Sequence, residues 1–325
     1  MKFRTNIDIK KAPSPIGYEK PVVMLGSCFT DNTGSYLKKY LFPVSVNPFG
    51  VIYNPMSISN SIEALIRKEN YLEEELRFHD GLWFSFDHYT KFSDPDKKTA
   101  TEKINKAFLE ARQLFSRAGH LILTFGSAYM YELKETGKIV NNCHKLPASQ
   151  FTRRLLTVKE IVQHYQALVD RIVLLNPEIK IILTVSPVRH IMDGLTGNQR
   201  SKATLLLSAG ALEKLYPDTC YYFPSYEIMM DDLRDYRFYS ADLLHPNAQA
   251  IEYIWNHFLA NCIKEDAAKI IQRLDPLLKA LHHRPLHTNT EQYKKFRKHM
   301  EEKTRKLKKE FPFLQWSKLD ILSVY

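Results

Sequence analysis

Two short polar stretches carry the residue types that acyl-transfer chemistry uses. Gly26-Ser27-Cys28-Phe29-Thr30-Asp31 follows directly on an apolar run, and Asp242-Leu243-Leu244-His245-Pro246 precedes a stretch of helical period. A hydroxyl or thiol at the head of a helix meets the helix's positive end and its free N–H groups, which favour a thiolate and can hold an oxyanion. Asp242 and His245 are three apart, which on one helical turn puts both side chains on the same side. The carboxylate can then bond one imidazole nitrogen and fix the tautomer, leaving the other nitrogen as general base toward Ser27 or Cys28. The competing readings are structural: DxxHP as a helix cap, and Cys28 as a small buried apolar residue.

The elements that must position these residues are legible as alternating patterns. Short apolar runs at Val22 to Leu25, His120 to Phe125, Ile179 to Val185 and Tyr221 to Phe223 predict strands. Helical periods at 57–67, 99–117, 157–175, 202–216 and 247–262 separate or follow them, with Pro246 suited to the first helical position of the last. Such alternation predicts an α/β fold with a mostly parallel sheet covered on both faces. Ligands in such folds sit beyond the carboxyl ends of the strands. The residues there are Gly26-Ser27-Cys28, Gly126-Ser127-Ala128 and Ser186-Pro187-Val188-Arg189-His190.

From about residue 265 the pattern becomes purely helical, over 265–282 and 289–310, with His282-His283-Arg284-Pro285 as breaker and a capping box from Thr288 to Glu291. Of the net charge of +10, segment 264–318 carries +8, from 15 Lys/Arg against 7 Asp/Glu. The domain division expected is therefore 1–263 for the α/β body and 264–325 for a basic helical extension. Phe296, Met300, Leu307 and Phe311 share one helix face, so the extension is expected to pack on the body rather than reach for an acidic partner or a membrane. A near-neutral body argues against nucleic-acid binding.

Cys28, Cys143, Cys220 and Cys262 are widely spread without paired spacing, which suits reduced thiols in a cytoplasmic protein without a metal. The N-terminus has no apolar export core, and no apolar run is long enough to span a membrane.

Gly26-Ser27-Cys28-Phe29-Thr30 resembles the signature of the GSCFA-domain family, a bacterial family of the SGNH (GDSL-type) hydrolase superfamily. The resemblance extends over about 20–260 through Asn47-Pro48-Phe49-Gly50, Tyr53-Asn54-Pro55, Asn142-Cys143-His144-Lys145, Ser186 to His190, Arg200-Ser201-Lys202 and Asp232 to Tyr239. It implies a three-layer α/β/α flavodoxin-like fold and an active site for the acyl esters of small molecules or glycans, working by hydrolysis or acyl transfer without a cofactor. The first superfamily block lies without a gap on Gly26 to Asp31 and puts Cys28, not Ser27, at the nucleophile position. The second-block glycine, an oxyanion donor through its N–H, falls on Gly50. The third-block Asn is replaced by Ala128, leaving Ser127, Asn54 or Asn142 to supply the missing donor. The last block is complete in Asp242, His245 and Pro246. A noncatalytic ligand-binding module of the same fold is the alternative, favoured by the missing Asn.

Four further residues have two readings each. Asn142 and His144 follow the second central strand and could line the pocket or hold an anion, or belong to an ordinary surface loop. Arg189 and His190 could recognise a phosphate or carboxylate, or cap a helix end. His88, in Trp83-Phe84-Ser85-Phe86-Asp87-His88, sits where members of the family it resembles also carry a Trp and a His, and is expected in the pocket.

Overall fold

The structure is a computed structural model that describes residues 5–281 and 290–319. In chain order the elements are β1 (Val22–Gly26), α1 (Cys28–Lys39), β2 (Val44–Val46), α2 (Pro55–Arg67), β3 (Arg77–His79), β4 (Leu82–Phe84), α3 (Lys97–Phe115) and β5 (His120–Phe125). There follow β6 (Tyr129–Leu133), β7 (Ile139–Val140), β8 (Phe151–Leu155), α4 (Val158–Leu175), β9 (Lys180–Val185), α5 (Gly194–Leu215) and β10 (Cys220–Tyr222). The chain ends with α6 (Ser225–Glu227), α7 (Ala248–Cys262), α8 (Glu265–Leu281) and α9 (Glu291–Glu310).

The central sheet has the order β10-β9-β5-β1-β2, all parallel. Read from the other edge, the central strands run second, first, third, fourth, fifth in chain order, so the winding reverses between β1 and β5. A crevice opens at such a switch point beyond the carboxyl ends. Register brings those ends level, with Gly26 opposite Thr124 and Phe125 opposite Val185.

Strands β1, β5 and β9 are buried on both faces because alternate side chains feed separate layers. Val23, Leu25, Leu121, Leu123, Ile181 and Leu183 pack with α2, α3, α4 and α5. Val22, Met24, Ile122 and Ile182 pack with α1 and α7, and the same cluster takes in α8 and α9. The basic segment therefore covers the body's apolar face: Ile271, Leu274, Leu277, Leu278 and Leu281 of α8 and Met300 and Leu307 of α9 are buried. Among the described residues no helix is long and apolar enough to cross a membrane.

Several local expectations differ from the observed elements. Helix α5 begins at Gly194 rather than 202, because its first turns are polar and carry no apolar stripe. Asn47 and Gly50 shape the β2 exit, where Asn47 Oδ1 accepts from Gly26 N at 2.9 Å. Strand β2, the β3–β4 hairpin and the antiparallel sheet β7-β6-β8 have no sequence counterpart, since their runs are short and mixed with charge. Pro246 is not the first helical residue: Asn247 caps α7, its Oδ1 accepting from Ala250 N at 3.0 Å. The breaker at 282–285 and Thr288 lie outside the described residues, and the cap seen on α9 is Thr290.

Candidate active site

A cavity of about 310 Å³ opens at the switch point and is lined from four loops: Ser27 and Cys28 after β1, Gly126 and Ser127 after β5, Ser186, Val188, Arg189 and His190 after β9, and His245. A larger cleft of about 700 Å³ lies at the opposite strand ends, between Tyr18, Lys20, Pro43, Arg117, Phe313 and Gln315. It brings together no nucleophile and base, so the smaller cavity is the candidate site.

The turn into α1 is built around Gly26, whose φ of +152° is a conformation that side chains resist. A Cβ there would also stand 2.3 Å from Thr124 O. This tight exit separates the roles of the next two residues. Ser27 is the N-cap of α1; its Oγ is buried and accepts from Phe29 N at 3.3 Å. Cys28, the first helical residue, is half-buried on the cavity wall. Burial raises its thiol pKa, and Asp31 adds to the rise; the N–H groups of Cys28 and Phe29 and the Lys202 ammonium oppose it.

Asp242 and His245 meet as the spacing requires, but in an irregular turn rather than a helical one. Asp242 Oδ1 accepts from Leu244 N at 2.9 Å and His245 N at 3.0 Å, while Oδ2 bonds His245 Nδ1 at 2.6 Å. One carboxylate thus closes the turn and holds the imidazole by Nδ1, so that Nε2 is the ring nitrogen Asp242 does not engage, and His245 lines the cavity. Those three donors, the His245 N–H first, hold the Asp242 carboxyl down at about 2.

The remaining wall is aromatic and cationic. Arg153 on β8 pairs with Asp193 through two bonds of 2.5 and 2.6 Å and lies over the Tyr129 ring at 4.1 Å. Arg189 bonds Tyr239 Oη at 2.9 Å and lies over that ring. His190 holds Asn198 Oδ1 through its N–H, and its Nε2 is buried without a partner. Burial, with help from Lys202 nearby, lowers the His190 pKa.

Five expected site residues lie off the cavity, each engaged elsewhere. Gly50 N–H is given to Asn47 O at 2.8 Å, so it is no free oxyanion donor here. Asn54 caps α2, with both side-chain atoms on Ser57. Asn142 Oδ1 accepts from His144 N, and His144 Nε2 bonds Ser85 O at 2.9 Å beneath the Phe84 ring. His88 is fully buried between Tyr71, Phe49 and Phe92, where burial lowers its pKa to about 3. At the third block, Ala128 N–H goes to Ser201 Oγ at 2.8 Å, while Ser127 Oγ stays on the cavity and accepts from Tyr129 N. Among the described residues no group of three His, Cys, Asp or Glu side chains is arranged to hold a metal.

Sequence reading missed the Arg153–Asp193 pair, Tyr53, Tyr129 and Tyr131, because the antiparallel sheet that delivers three of them has no clear pattern. It also missed Lys202, whose signal was present. Asn198, Leu205, Ala209 and Leu212 form the buried stripe of α5, and Lys202 stands on that stripe at a four-residue step from Asn198.

A parallel, doubly wound sheet with Ser27, Cys28 and an Asp242–His245 pair gathered at its switch point defines an α/β protein with a cavity beyond the strand ends. The chain belongs to the GSCFA family, whose model matches residues 21–258, and the model of the C-terminal domain of GSCFA domain proteins matches 274–319. No curated protein is matched. Among solved structures, an acetyl xylan esterase (Est2A) from the rumen bacterium Butyrivibrio proteoclasticus is similar at 11% identity and a TM-score of 0.29. The match covers 80% of this chain and 66% of that one, so it spans just under two thirds of the esterase.

Proposed function

We propose that this protein is a thiol-dependent acyl hydrolase of SGNH type, acting on an ester or thioester of a small molecule or glycan. The observation that carries the reading is the convergence of Cys28 and an Asp242-oriented His245 on one cavity. In the first half-reaction Cys28 Sγ loses its proton to His245 Nε2 and bonds the acyl carbon, and the bond to the leaving alcohol or thiol breaks. His245 returns the proton to the leaving group. In the second, water gives a proton to His245 and attacks the thioester, the C–S bond breaks, and the acid leaves as Cys28 is reprotonated. An alcohol in place of water makes the same site an acyltransferase. The Cys28 N–H, at the head of α1 where no preceding turn accepts it, and Ser127 Oγ are the donors available to a developing oxyanion.

Ser27 is the weaker nucleophile candidate because its Oγ is buried as a cap. The alternative, a ligand-binding module, draws on the engaged Gly50 and Ala128 N–H groups, since one oxyanion donor is typically worth about 10²–10³ in rate. Labelling separates the readings. A thiol-directed probe should modify Cys28, His245→Ala should suppress that labelling, and a fluorophosphonate should leave Ser27 unmodified. No labelling by either probe, with no turnover of a broad acyl-ester panel, would establish the binding module.

A further inference from the structure

Two arginines line the cavity with Cys28 and His245, and their partners differ in kind. Arg153 is closed off by Asp193, which takes two of its N–H groups at 2.5 and 2.6 Å. Arg189 is gripped by phenols instead. Its Nη2 donates to Tyr239 Oη at 2.9 Å, and the Tyr239 and Tyr236 ring centres lie 4.5 and 5.5 Å from the guanidinium. Among the described residues no carboxylate forms an ion pair with it. The nearby acids are spent elsewhere: Asp242 on His245, and Asp31 on Asn47 Nδ2 at 2.8 Å. The lining therefore sets two arginines against one aspartate, and the uncompensated charge is that of Arg189. A guanidinium carries five N–H donors in a planar fork, stays charged at any working pH, and is steadied by aromatic faces that leave its charge in place. An oxyanion entering the cavity is the partner that this fork matches.

Main-chain bonds fix where the arginine stands relative to the chemistry. Arg189 N–H donates to Leu244 O, the residue before His245, at 3.1 Å. Tyr239, which grips the guanidinium, forms a bridge with Pro246, and Ser240 N–H donates to His245 O at 2.7 Å. One segment, 239–246, thus carries the base, holds the arginine and is stapled to its loop. His245 is also the group that returns a proton to the leaving alcohol or thiol. The half of the substrate beside Arg189 is accordingly the leaving half.

We propose that Arg189 is the anion-binding group of this cavity and takes a carboxylate or phosphate oxyanion carried on the alcohol or thiol half of the substrate. The assignment to that half rests on the hydrolase reading; the anion site itself does not.

Three acetyl esters that differ in the charge on the leaving phenol test it: 4-acetoxybenzoate, 4-acetoxyphenyl phosphate and the neutral methyl 4-acetoxybenzoate. They are assayed on the full-length wild type, Arg189→Gln and Arg189→Lys. The quantity read is kcat/KM for each anionic ester over that for the neutral one, compared between variant and wild type so that intrinsic reactivity cancels. Arg189→Gln should lower that ratio by about 10–100-fold for the oxyanion the site takes, and Lys, a point charge without the fork, should recover part of it. The arm that falls identifies carboxylate or phosphate. Rates that fall together with the ratio unmoved would make Arg189 a brace for the His245 turn and overturn the proposal. Calorimetry with the phenols alone needs no turnover: the wild type should bind an anionic phenol about tenfold or more tightly than methyl 4-hydroxybenzoate, and Gln should erase the difference. Such binding without turnover of any ester would sink the hydrolase reading and leave the anion site standing. Turnover of the neutral ester with no preference for either anion would keep the hydrolase and overturn the anion site. Should neither variant fold, protection of wild-type Cys28 from iodoacetamide decides. An anionic phenol should slow the labelling and its methyl ester should not, and equal protection, or none, overturns the proposal.

Discussion

Burial lowers the Lys202 pKa from its usual 10.5 to about 7, and this has a measurable consequence for stability. Between those values the unfolded chain holds a proton that the folded chain does not, so stability attributable to this group rises with pH across the window. Each pH unit is worth about 1.4 kcal/mol, so the protonated amine costs the fold about 5 kcal/mol below pH 7 and about 1 kcal/mol at pH 9.5. Lys202→Met removes this slope. It also removes two hydrogen bonds to Gly126 O and Ser186 O, a pH-independent loss of about 1–3 kcal/mol. In a Cys28→Ser background, which takes the thiol's own titration out of the window, the Met variant should therefore be the more stable protein at pH 7. Its advantage should shrink by about 3 kcal/mol by pH 9.5. Urea denaturation at half-unit steps of pH measures both curves. A stability difference that stays constant from pH 7 to 9.5 would refute the argument that the amine is held against ionisation by its surroundings.

Three other outcomes are expected. Asp242→Ala leaves His245 Nδ1 and two main-chain N–H groups without their carboxylate, so Cys28-dependent turnover should fall by about 10²–10⁴; thermal denaturation would show whether the exposed turn alone was lost. Ser27→Ala should cost about 0.5–2 kcal/mol through the lost cap and still permit Cys28 labelling, whereas abolished activity in a folded Ser27→Ala protein would return the nucleophile role to Ser27. Leu274→Ala, at a fully buried position of α8, should cost about 2–5 kcal/mol in urea denaturation, and an unchanged midpoint would mean that the C-terminal helices are not part of the core.

Features set by near neighbours in the chain are the ones that could be read without coordinates. The apolar runs that became β1, β5 and β9 are buried on both faces, and that burial demands continuous apolar sequence. The Asp242–His245 contact spans three residues, so a local turn suffices to make it, even though the turn is not helical. The Ser27-Cys28 turn was legible for the same reason, since a helix head after a strand can be recognised from its own few residues.

Tertiary structure decided what distant segments do to one another. Gly50, Asn54, His88, Asn142 and His144 all have the chemistry for a site, but partners such as Asn47 O, Ser57 and Ser85 O engage Gly50, Asn54 and His144, Asn142 caps the His144 N–H, and packing buries His88. That Ser27 rather than Cys28 caps α1, although both line the cavity, is a matter of backbone angle at Gly26 and its contact with Thr124. Lys202 was visible only as an oddity on an apolar stripe. Its amine meets the cavity-lining residues Gly126 and Ser186 because α5 packs by β5 and β9, bringing it to two carbonyls 76 and 16 residues away. A side chain's type states what it can donate, accept or ionise, and the sheet topology decides which of those capacities remains free at the cavity.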